Sequence, residues 1–305
     1  MKIYPFFLKY SLVLFAALAL VGCASSPAVI QPPDITVVIP GAAKKPIKIG
    51  LVLGGGAARG FAHVGVIQVL EEAGIRPNLV VGTSAGSLVA AFYASGKTGR
   101  QLQQVAEIME EAAFADWTLP IFSRGMLRGE ALARYVGVQV NGRLIENMPL
   151  PLGIVATDLN SGLGILFQRG DTATAVRASS AVPALFQPVK IGGREYVDGG
   201  LVSPVPVRYA RQMGAEFVIA VDISSAPEAN AASDTLEILM QTFSIMSKSI
   251  NTFELKDADL VVRPLLAGVG SSNFSARRQA IDAGRVAMTA LLPQLRLALG
   301  SSRNP

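Results

Sequence analysis

Cysteine and histidine are almost absent from this 305-residue chain, which has one of each, Cys23 and His63. A single cysteine excludes an internal disulfide. One histidine and one cysteine also exclude a zinc site built from several such ligands. Spaced carboxylates of the kind that form Ca²⁺-binding loops are absent as well. The sequence therefore predicts neither a metal centre nor a cofactor.

Charged side chains are also scarce, at 16% of the residues, and the net charge is only +5. No run of basic residues exceeds the pairs Lys44-Lys45 and Arg277-Arg278. This distribution is typical of an ordinary solvated surface, so we predict no nucleic-acid partner. Half of the residues are hydrophobic, which excludes a disordered chain and provides a sizeable core at this length.

The N-terminal segment has the pattern of an export signal. Lys2 and Lys9 precede an apolar run over residues 11–21, which is too short to span a membrane comfortably. The run ends in Leu20-Val21-Gly22-Cys23, which resembles a bacterial lipobox. That resemblance implies cleavage before Cys23 and attachment of lipid to it. We predict a lipoprotein signal peptide over residues 1–22; the alternative is an anchor helix with an incidental cysteine.

Residues 23–46 are rich in proline and predict a semi-extended tether between the lipidated Cys23 and the folded domain. The domain is predicted over residues 47–299, with a tail at 300–305. Such a tether would hold the domain near a membrane of a bacterial cell envelope. Ala24, not aspartate, follows the cysteine. By analogy with enteric lipoproteins, this favours the periplasmic side of the outer membrane if the organism is Gram-negative.

Strand and helix patterns alternate along the domain. Short apolar runs predict strands at 47–53, 79–81, 153–157 and 217–221. Helical periodicity and end signals predict helices at 60–72, 85–95, 101–113, 235–253 and 277–299. This alternation predicts an α/β fold with a mostly parallel sheet covered on both faces.

A glycine-rich loop, Gly54-Gly55-Gly56-Ala57-Ala58-Arg59-Gly60, follows the first predicted strand. Glycines at this place let backbone N–H groups converge on an anion. The spacing departs from the G-x-G-x-x-G of dinucleotide-binding folds, and the second predicted strand does not end in an acidic residue. The lysine of a phosphate-binding P-loop is missing too, so neither nucleotide site is favoured.

A second motif, Gly82-Thr83-Ser84-Ala85-Gly86, follows a strand and opens a helix, as a nucleophile elbow requires. The alternative is that Ser84 only caps the helix. Hydrolases with this motif and a catalytic triad have their histidine after the serine, and no histidine follows His63 here. We therefore interpret His63 as a packed or loop-bracing residue and expect the base to be a carboxylate or a lysine.

Three aspartates stand at possible strand ends: Asp158 and Asp222 follow the strands predicted at 153–157 and 217–221, and Asp198 follows Glu195-Tyr196-Val197. Their pattern alone does not select one of them as the base. Asp198 is followed by Gly199-Gly200, which would permit close approach of the backbone to a site. For the other two aspartates we expect a capping role at loops or helices.

Together the three motifs, in the order Gly54–Gly60, Gly82–Gly86 and Asp198–Gly200, resemble the patatin-like phospholipase family. The segments 59–66 and 182–188 resemble it as well, and the resemblance covers about residues 47–222. It implies a three-layer α/β/α fold with a mostly parallel central sheet. It also implies a serine–aspartate dyad that works without a histidine.

The roles that the resemblance implies fall on residues of all three motifs. Ser84 would be the nucleophile and Asp198 the proton acceptor, with the amides of Gly54–Gly56 as the oxyanion hole and Arg59 bracing it. The other motif glycines are Gly60, Gly82, Gly86, Gly199 and Gly200.

We therefore expect a membrane-tethered serine acyl hydrolase that acts on phospholipid or lysophospholipid esters. The alternative is a catalytically silent scaffold of the same fold in envelope assembly or signalling. Two apolar segments are open to two interpretations. Residues 114–126 would form a lid or pack in the core, and the apolar stripe of the 235–253 helix would pack in the core or line an acyl groove.

Overall fold

A single large sheet lies at the centre of the computed structural model, which describes residues 47–110, 116, 124–224, 235–270 and 273–301. The elements in chain order are β1 (Ile49–Leu53), α1 (Ala62–Glu72), β2 (Leu79–Thr83), α2 (Ala85–Ala94), α3 (Gly99–Ile108), β3 (Gly125–Leu127), α4 (Glu130–Gln139), β4 (Leu152–Asp158), β5 (Gly164–Phe167), α5 (Thr172–Ser179), β6 (Ala184–Phe186), β7 (Val189–Ile191), β8 (Arg194–Asp198), α6 (Val207–Gln212), β9 (Phe217–Val221), α7 (Thr235–Glu254), β10 (Leu260–Val262) and α8 (Arg277–Ser301).

The strand order of this sheet is β10-β9-β1-β2-β4-β8-β7. The pairings from β10 to β4 are all parallel, whereas β8 and β7 run antiparallel to their neighbours. A further strand, β5, pairs antiparallel with β4, and β3 and β6 form a separate parallel pair. The register sets Leu53 opposite Gly82 and Val221, so β1, β2 and β9 end at the same edge.

Both faces of the sheet are covered by helices. Leu51 and Leu53 of β1 belong to the same hydrophobic cluster as the buried side chains of α1, α2 and α8. The intervening Val52 points to the other face, where it shares a cluster with Val207 and Ala210 of α6. Because successive side chains of a strand point to opposite faces, this alternation produces three layers. The expected three-layer α/β/α fold is thus confirmed.

Helices α1 and α8 approach each other closely through two glycines. A β-carbon at Gly65 would overlap the Ile281 carbonyl oxygen, and one at Gly284 would overlap the Ala62 carbonyl oxygen. The two backbones are therefore in direct contact. This contact fixes α1 and the glycine loop that precedes it against the long C-terminal helix.

The largest difference between a predicted helix and the structure is found in α3. The helix predicted over residues 101–113 begins at Gly99, where Thr98 and Gln101 form a capping box, and it ends at Ile108. It ends there because Met109 has an extended backbone (φ −75°, ψ 118°) while its side chain is buried.

Several predicted segments lie outside the described residues. These are the signal peptide, the tether, most of the tail and most of the 114–126 segment. Of that last segment, Asp116 is described, and its carboxylate accepts the amides of Gly129 and Ala131 at the start of α4, at 2.8 and 2.9 Å. Among the helices that the structure describes, none is both long and apolar enough to cross a membrane.

Candidate active site

The predicted motif residues meet at one edge of the sheet. The glycine loop leaves β1 and Ser84 leaves β2, and these parallel neighbours end side by side. Asp198 ends β8, where it lies opposite Ala156 of β4. The carboxyl ends of parallel strands are where α/β proteins place their sites. The topology therefore brings together residues that are more than one hundred positions apart in sequence.

Ser84 occupies a strained turn between β2 and α2. Its backbone has φ 52° and ψ −126°, a conformation that residues other than glycine rarely adopt. The turn is possible because both flanking glycines lack a side chain. A β-carbon at Gly82 would overlap the Gly86 carbonyl oxygen, and one at Gly86 would overlap that of Leu53. This geometry is that of a nucleophile elbow.

The Ser84 hydroxyl donates a hydrogen bond directly to Asp198, with 2.7 Å between Oγ and Oδ2. The other carboxylate oxygen of Asp198 accepts the Gly200 amide at 2.7 Å. The Asp198 backbone is held as well, since its amide donates to the Ala181 carbonyl and its carbonyl accepts the Thr157 hydroxyl. The carboxylate is therefore fixed in position and needs no intervening group to reach the serine.

Burial raises the pKa of Asp198 to about 6, against the opposing effects of its hydrogen bonds from Ser84 and Gly200. The side chain is enclosed, and the residue is only 6% exposed. A carboxylate with a raised pKa is a stronger base than an ordinary aspartate, so this environment suits proton acceptance near neutral pH.

We expect kcat/KM for a neutral ester to fall about tenfold per pH unit below about pH 6, because only the ionised Asp198 can accept a proton. Above that value the profile should level off. Initial rates between about pH 4.5 and 8 provide the measurement. A flat profile over this range would contradict the assignment of Asp198 as the base.

The amides of the glycine loop are not equivalent. The Gly54 amide donates to the Val221 carbonyl at 3.1 Å and the Gly55 amide to the Pro204 carbonyl at 2.9 Å. Within the described residues, the amides of Gly56 and Ala57 have no such acceptor. Of the three glycines predicted for the oxyanion hole, only Gly56 therefore keeps its donor available.

The loop lies directly against the serine. A β-carbon at Gly55 would be 3.2 Å from the Ser84 Cβ, and one at Gly60 would be 2.9 Å from the Ala85 Cβ. Arg59 is buried in the turn that follows the glycines, at 7% exposure. Ala57 has φ 49°, so the loop turns sharply next to the Gly56 amide.

His63 supports the glycine loop through a hydrogen bond to its backbone. Its Nε2 lies 2.8 Å from the Gly54 carbonyl oxygen, and since a carbonyl only accepts, Nε2 carries the proton. The ring is fully buried, and burial lowers the pKa of His63 to about 4. The imidazole is therefore neutral and is bonded to the backbone, not to Ser84, in agreement with the interpretation of His63 as a loop-bracing residue.

Replacing His63 with glutamine is expected to lower ester turnover by less than about tenfold, because the glutamine amide can still donate to Gly54. A general base would cost several orders of magnitude. Covalent labelling of Ser84 by a fluorophosphonate should survive in His63→Gln and vanish in Asp198→Asn. A folded His63→Gln protein that fails to label would contradict this role.

The two other candidate aspartates hold loops, as expected. Asp158 accepts the amides of Asn160 and Ser161, both at 3.0 Å, and pairs with Arg194 at 2.9 Å. Asp222 accepts the amide of the nearby Ser224 at 3.0 Å and is paired with Arg263 at 3.4 Å. Of the three strand-end aspartates, the structure bonds only Asp198 to Ser84.

Ser179 is a site residue that sequence reasoning missed. Its hydroxyl accepts the Ser84 amide at 2.9 Å and donates to the Val155 carbonyl at 2.5 Å. It thereby holds the backbone of the strained turn. No spacing signal marks Ser179, because it lies in the helix α5, 95 residues from its partner.

The described residues contain no cluster of histidine, cysteine and carboxylate side chains that could hold a metal ion.

The fold and the site define an α/β/α protein in which a serine at a nucleophile elbow donates a hydrogen bond directly to a carboxylate. Comparison with known proteins gives the family. Residues 51–211 match the profile of the patatin-like phospholipase domain, and the chain belongs to the patatin-like phospholipase family.

Relatives of the chain occur in bacteria and animals. Two uncharacterized NTE family proteins, from Mycobacterium bovis and Mycobacterium tuberculosis, are 35% and 31% identical to it over 187 and 271 residues. These alignments cover 61% and 80% of this chain but 52% and 46% of the relatives, so the chain spans about half of their length. The mouse patatin-like phospholipase domain-containing protein 6 is 36% identical over 188 residues, which cover 59% of this chain and 14% of that protein.

The crystal structure of VipD from Legionella pneumophila is similar in fold. It superposes with a TM-score of 0.50 at 15% sequence identity, over 82% of this chain and 67% of that one. At this level of identity the similarity supports the fold alone.

Proposed function

We propose that this chain is a serine acyl hydrolase that cleaves carboxylic ester bonds of phospholipids or lysophospholipids. The observation that carries the proposal is the 2.7 Å hydrogen bond from the Ser84 hydroxyl to the buried Asp198 carboxylate, at a strained elbow. A hydroxyl is a weak nucleophile unless a base removes its proton, and here the base is already in contact. Family membership supports a lipid ester as the substrate.

The acylation step uses both members of the pair. Ser84 Oγ attacks the ester carbonyl carbon while Asp198 Oδ2 takes its proton, which gives a tetrahedral oxyanion. Collapse of this intermediate breaks the bond to the leaving alcohol, which takes the proton from Asp198. In the second half, Asp198 removes a proton from water as the water oxygen attacks the carbonyl carbon of the acyl-serine. Collapse of this second intermediate breaks the bond to Ser84 Oγ, which takes the proton back from Asp198, and the carboxylic acid is released.

The Gly56 and Ala57 amides are the donors that we assign to the oxyanion. They lie in the loop that packs on Ser84, and no carbonyl of the described residues occupies them. Loss of one such donor typically costs about 3–4 kcal/mol in the barrier. The Gly54 and Gly55 amides instead fix the loop to the neighbouring strand end and to the loop that precedes α6.

A panel of esters tests the proposal. The purified chain is expected to hydrolyse short-chain p-nitrophenyl esters, then phospholipids and lysophospholipids, in a manner that depends on Ser84. The alternative, a catalytically silent scaffold, is supported by no observation at the site, because the pair and the elbow are intact. Absence of turnover together with absence of fluorophosphonate labelling of Ser84 would favour the scaffold.

We also propose that the protein is anchored in a bacterial envelope membrane through lipid on Cys23. This proposal rests on the lipobox-like sequence before the cysteine and on the apolar run that precedes it. One acyl chain gives only marginal membrane binding, whereas the two or three chains of a lipoprotein anchor it stably. A lipid substrate at the same membrane would then be within reach of the tethered domain.

Cys23→Ala is expected to abolish incorporation of a palmitate analogue and to release the protein from the membrane fraction. Metabolic labelling followed by fractionation gives the measurement. Ser84→Ala is the control, because it should label and fractionate like the wild type. Equal labelling of wild type and Cys23→Ala would contradict the anchor.

A further inference from the structure

A second buried carboxyl group lies near the active site and takes no part in the proposed mechanism. Glu254 ends α7, and its side chain is only 6% exposed. Its Oε1 accepts the Ser203 hydroxyl at 2.5 Å, while its Oε2 has no hydrogen-bond partner within the described residues. The half-exposed side chain of Arg208 forms a long ion pair with Glu254, with 3.7 Å between Nε and Oε1. Burial of an incompletely paired carboxyl group costs stability, so stability alone does not explain this residue.

Ser203 lies in a loop, residues 199–204, that touches all three motifs of the site. The same loop contains the Pro204 carbonyl group that accepts the Gly55 amide, so that this amide is not available to an oxyanion. The contacts are Gly200 N–H to Asp198 Oδ1 at 2.7 Å, Thr83 Oγ1 to the Ser203 carbonyl oxygen at 2.9 Å, and Gly55 N–H to the Pro204 carbonyl oxygen at 2.9 Å. A displacement of this loop would therefore disturb the base, the nucleophile strand and the glycine loop together.

The Ser203–Glu254 pair has the same chemical groups as the Ser84–Asp198 pair, but a substrate has no access to it. Ser203 is completely buried, at 0% exposure, so an ester cannot reach its hydroxyl. A second nucleophile is thereby excluded. What remains is a hydrogen bond that joins the end of α7 to the 199–204 loop across 51 positions of sequence. Helix α7 also contacts the turn at residues 199–201 directly.

We propose that Glu254 is a positioning residue that holds the 199–204 loop through Ser203 and so sets the geometry of Asp198 and the glycine loop. The inference rests on the proposed hydrolase function. Its physical basis is that a displacement of about 1 Å in a catalytic group can cost about a hundredfold in rate. The hydrogen bond to Ser203 requires an acceptor oxygen but no charge on Glu254, since its donor is a hydroxyl group.

Three variants of the full chain test the proposal by turnover of a soluble short-chain ester. Glu254→Gln keeps an acceptor oxygen for Ser203, so its kcat should stay within about threefold of the wild type. Glu254→Ala and Ser203→Ala each remove the hydrogen bond, and their kcat should fall about tenfold to a hundredfold with KM within about twofold. The double variant should be little worse than either single one, because both remove the same bond.

Asp259→Ala is the matched control. It deletes a carboxylate that accepts the Val218 amide at 2.6 Å and pairs with Arg211 at 2.7 Å, but at the opposite end of β9 from the site. It should lower the melting temperature and leave kcat of the folded protein unchanged. If Asp259→Ala lowers kcat as much as Glu254→Ala does, general destabilisation explains both results and the proposal fails.

Hydrogen exchange supplies a readout that does not depend on turnover. Exchange of the Gly55 and Gly200 amides should be about tenfold faster in Glu254→Ala and Ser203→Ala than in wild type and Glu254→Gln. Unchanged exchange with unchanged kcat in Glu254→Ala would overturn the positioning role. If the wild type hydrolyses no ester, the hydrolase function fails, and the exchange rates still decide whether Glu254 holds the loop.

Discussion

Ser84→Ala and Asp198→Asn are each expected to lower ester turnover by about four orders of magnitude. Ser84→Ala removes the attacking hydroxyl, and Asp198→Asn removes the carboxylate that accepts its hydrogen bond at 2.7 Å. Enzymes that lose their nucleophile or their base fall by factors of this size and retain only the contribution of binding and the oxyanion donors. Steady-state rates on a p-nitrophenyl ester give the measurement.

In the proposed mechanism the two residues act as one functional unit, so the double variant should be little worse than either single variant. Asp158→Asn and Asp222→Asn are the controls, since both carboxylates hold loops and neither is bonded to Ser84. Near-normal turnover in Asp198→Asn, together with a large loss in one of the controls, would identify a different base.

Asp198→Asn should melt at or above the temperature of the wild type at pH 8. Burial raises the pKa of Asp198 from 3.8 to about 6, so the folded state favours the neutral carboxyl group. The stability that this group contributes to the fold is fully present below its unfolded-state pKa of 3.8, and it is lost as the pH rises through its folded-state pKa of about 6. Ionised Asp198 therefore destabilises the fold at pH 8, and the neutral asparagine relieves that cost. Loss of activity without loss of stability would separate a catalytic role from a structural one.

The parts of the fold that could be predicted from sequence have strong local signals. The strand predicted at 217–221 matches β9 in both bounds, because its side chains are apolar and buried on both faces. The elbow at Ser84 could be predicted because its serine and two glycines stand at a fixed spacing between one strand and the helix that follows it. The contacts that require a glycine at position 82 lie within this unit, whereas those at position 86 are made with β1 and the glycine loop. The resemblance of Asp198–Gly200 to the family motif distinguishes Asp198 from the other strand-end aspartates.

The remaining features depend on contacts between distant residues. Strands β3, β6, β7 and β10 have three residues each, which is too short to show a period of two. The Gly54 and Gly55 amides are occupied by carbonyls of Val221 and Pro204, so no local pattern shows which loop amides remain available. The Ser203–Glu254 bond likewise forms only when α7 has packed against the loop.

The second large effect is expected for Gly86→Ala, which should cost about 3 kcal/mol or more of the free energy of unfolding and abolish turnover. A methyl group at Gly86 would overlap the Leu53 carbonyl oxygen and come within 2.6 Å of the Gly54 carbonyl oxygen. These are backbone atoms of β1 and of the glycine loop, and they cannot rotate away as a flexible side chain would. The start of α2 must therefore move, and Ser84 must move with it.

Gly137→Ala is the matched control, because the same substitution should raise the free energy of unfolding there instead of lowering it. Gly137 lies inside α4, and its nearest neighbour would be the Ala173 Cβ at an ordinary 3.9 Å. Alanine there should add about 0.5–1 kcal/mol, through its lower backbone entropy in the unfolded chain, and leave turnover unchanged. Urea unfolding and ester turnover of both variants give the measurement. A Gly86→Ala protein as stable and as active as the wild type would show that close approach of α2 to β1 is not what places Ser84 beside the glycine loop.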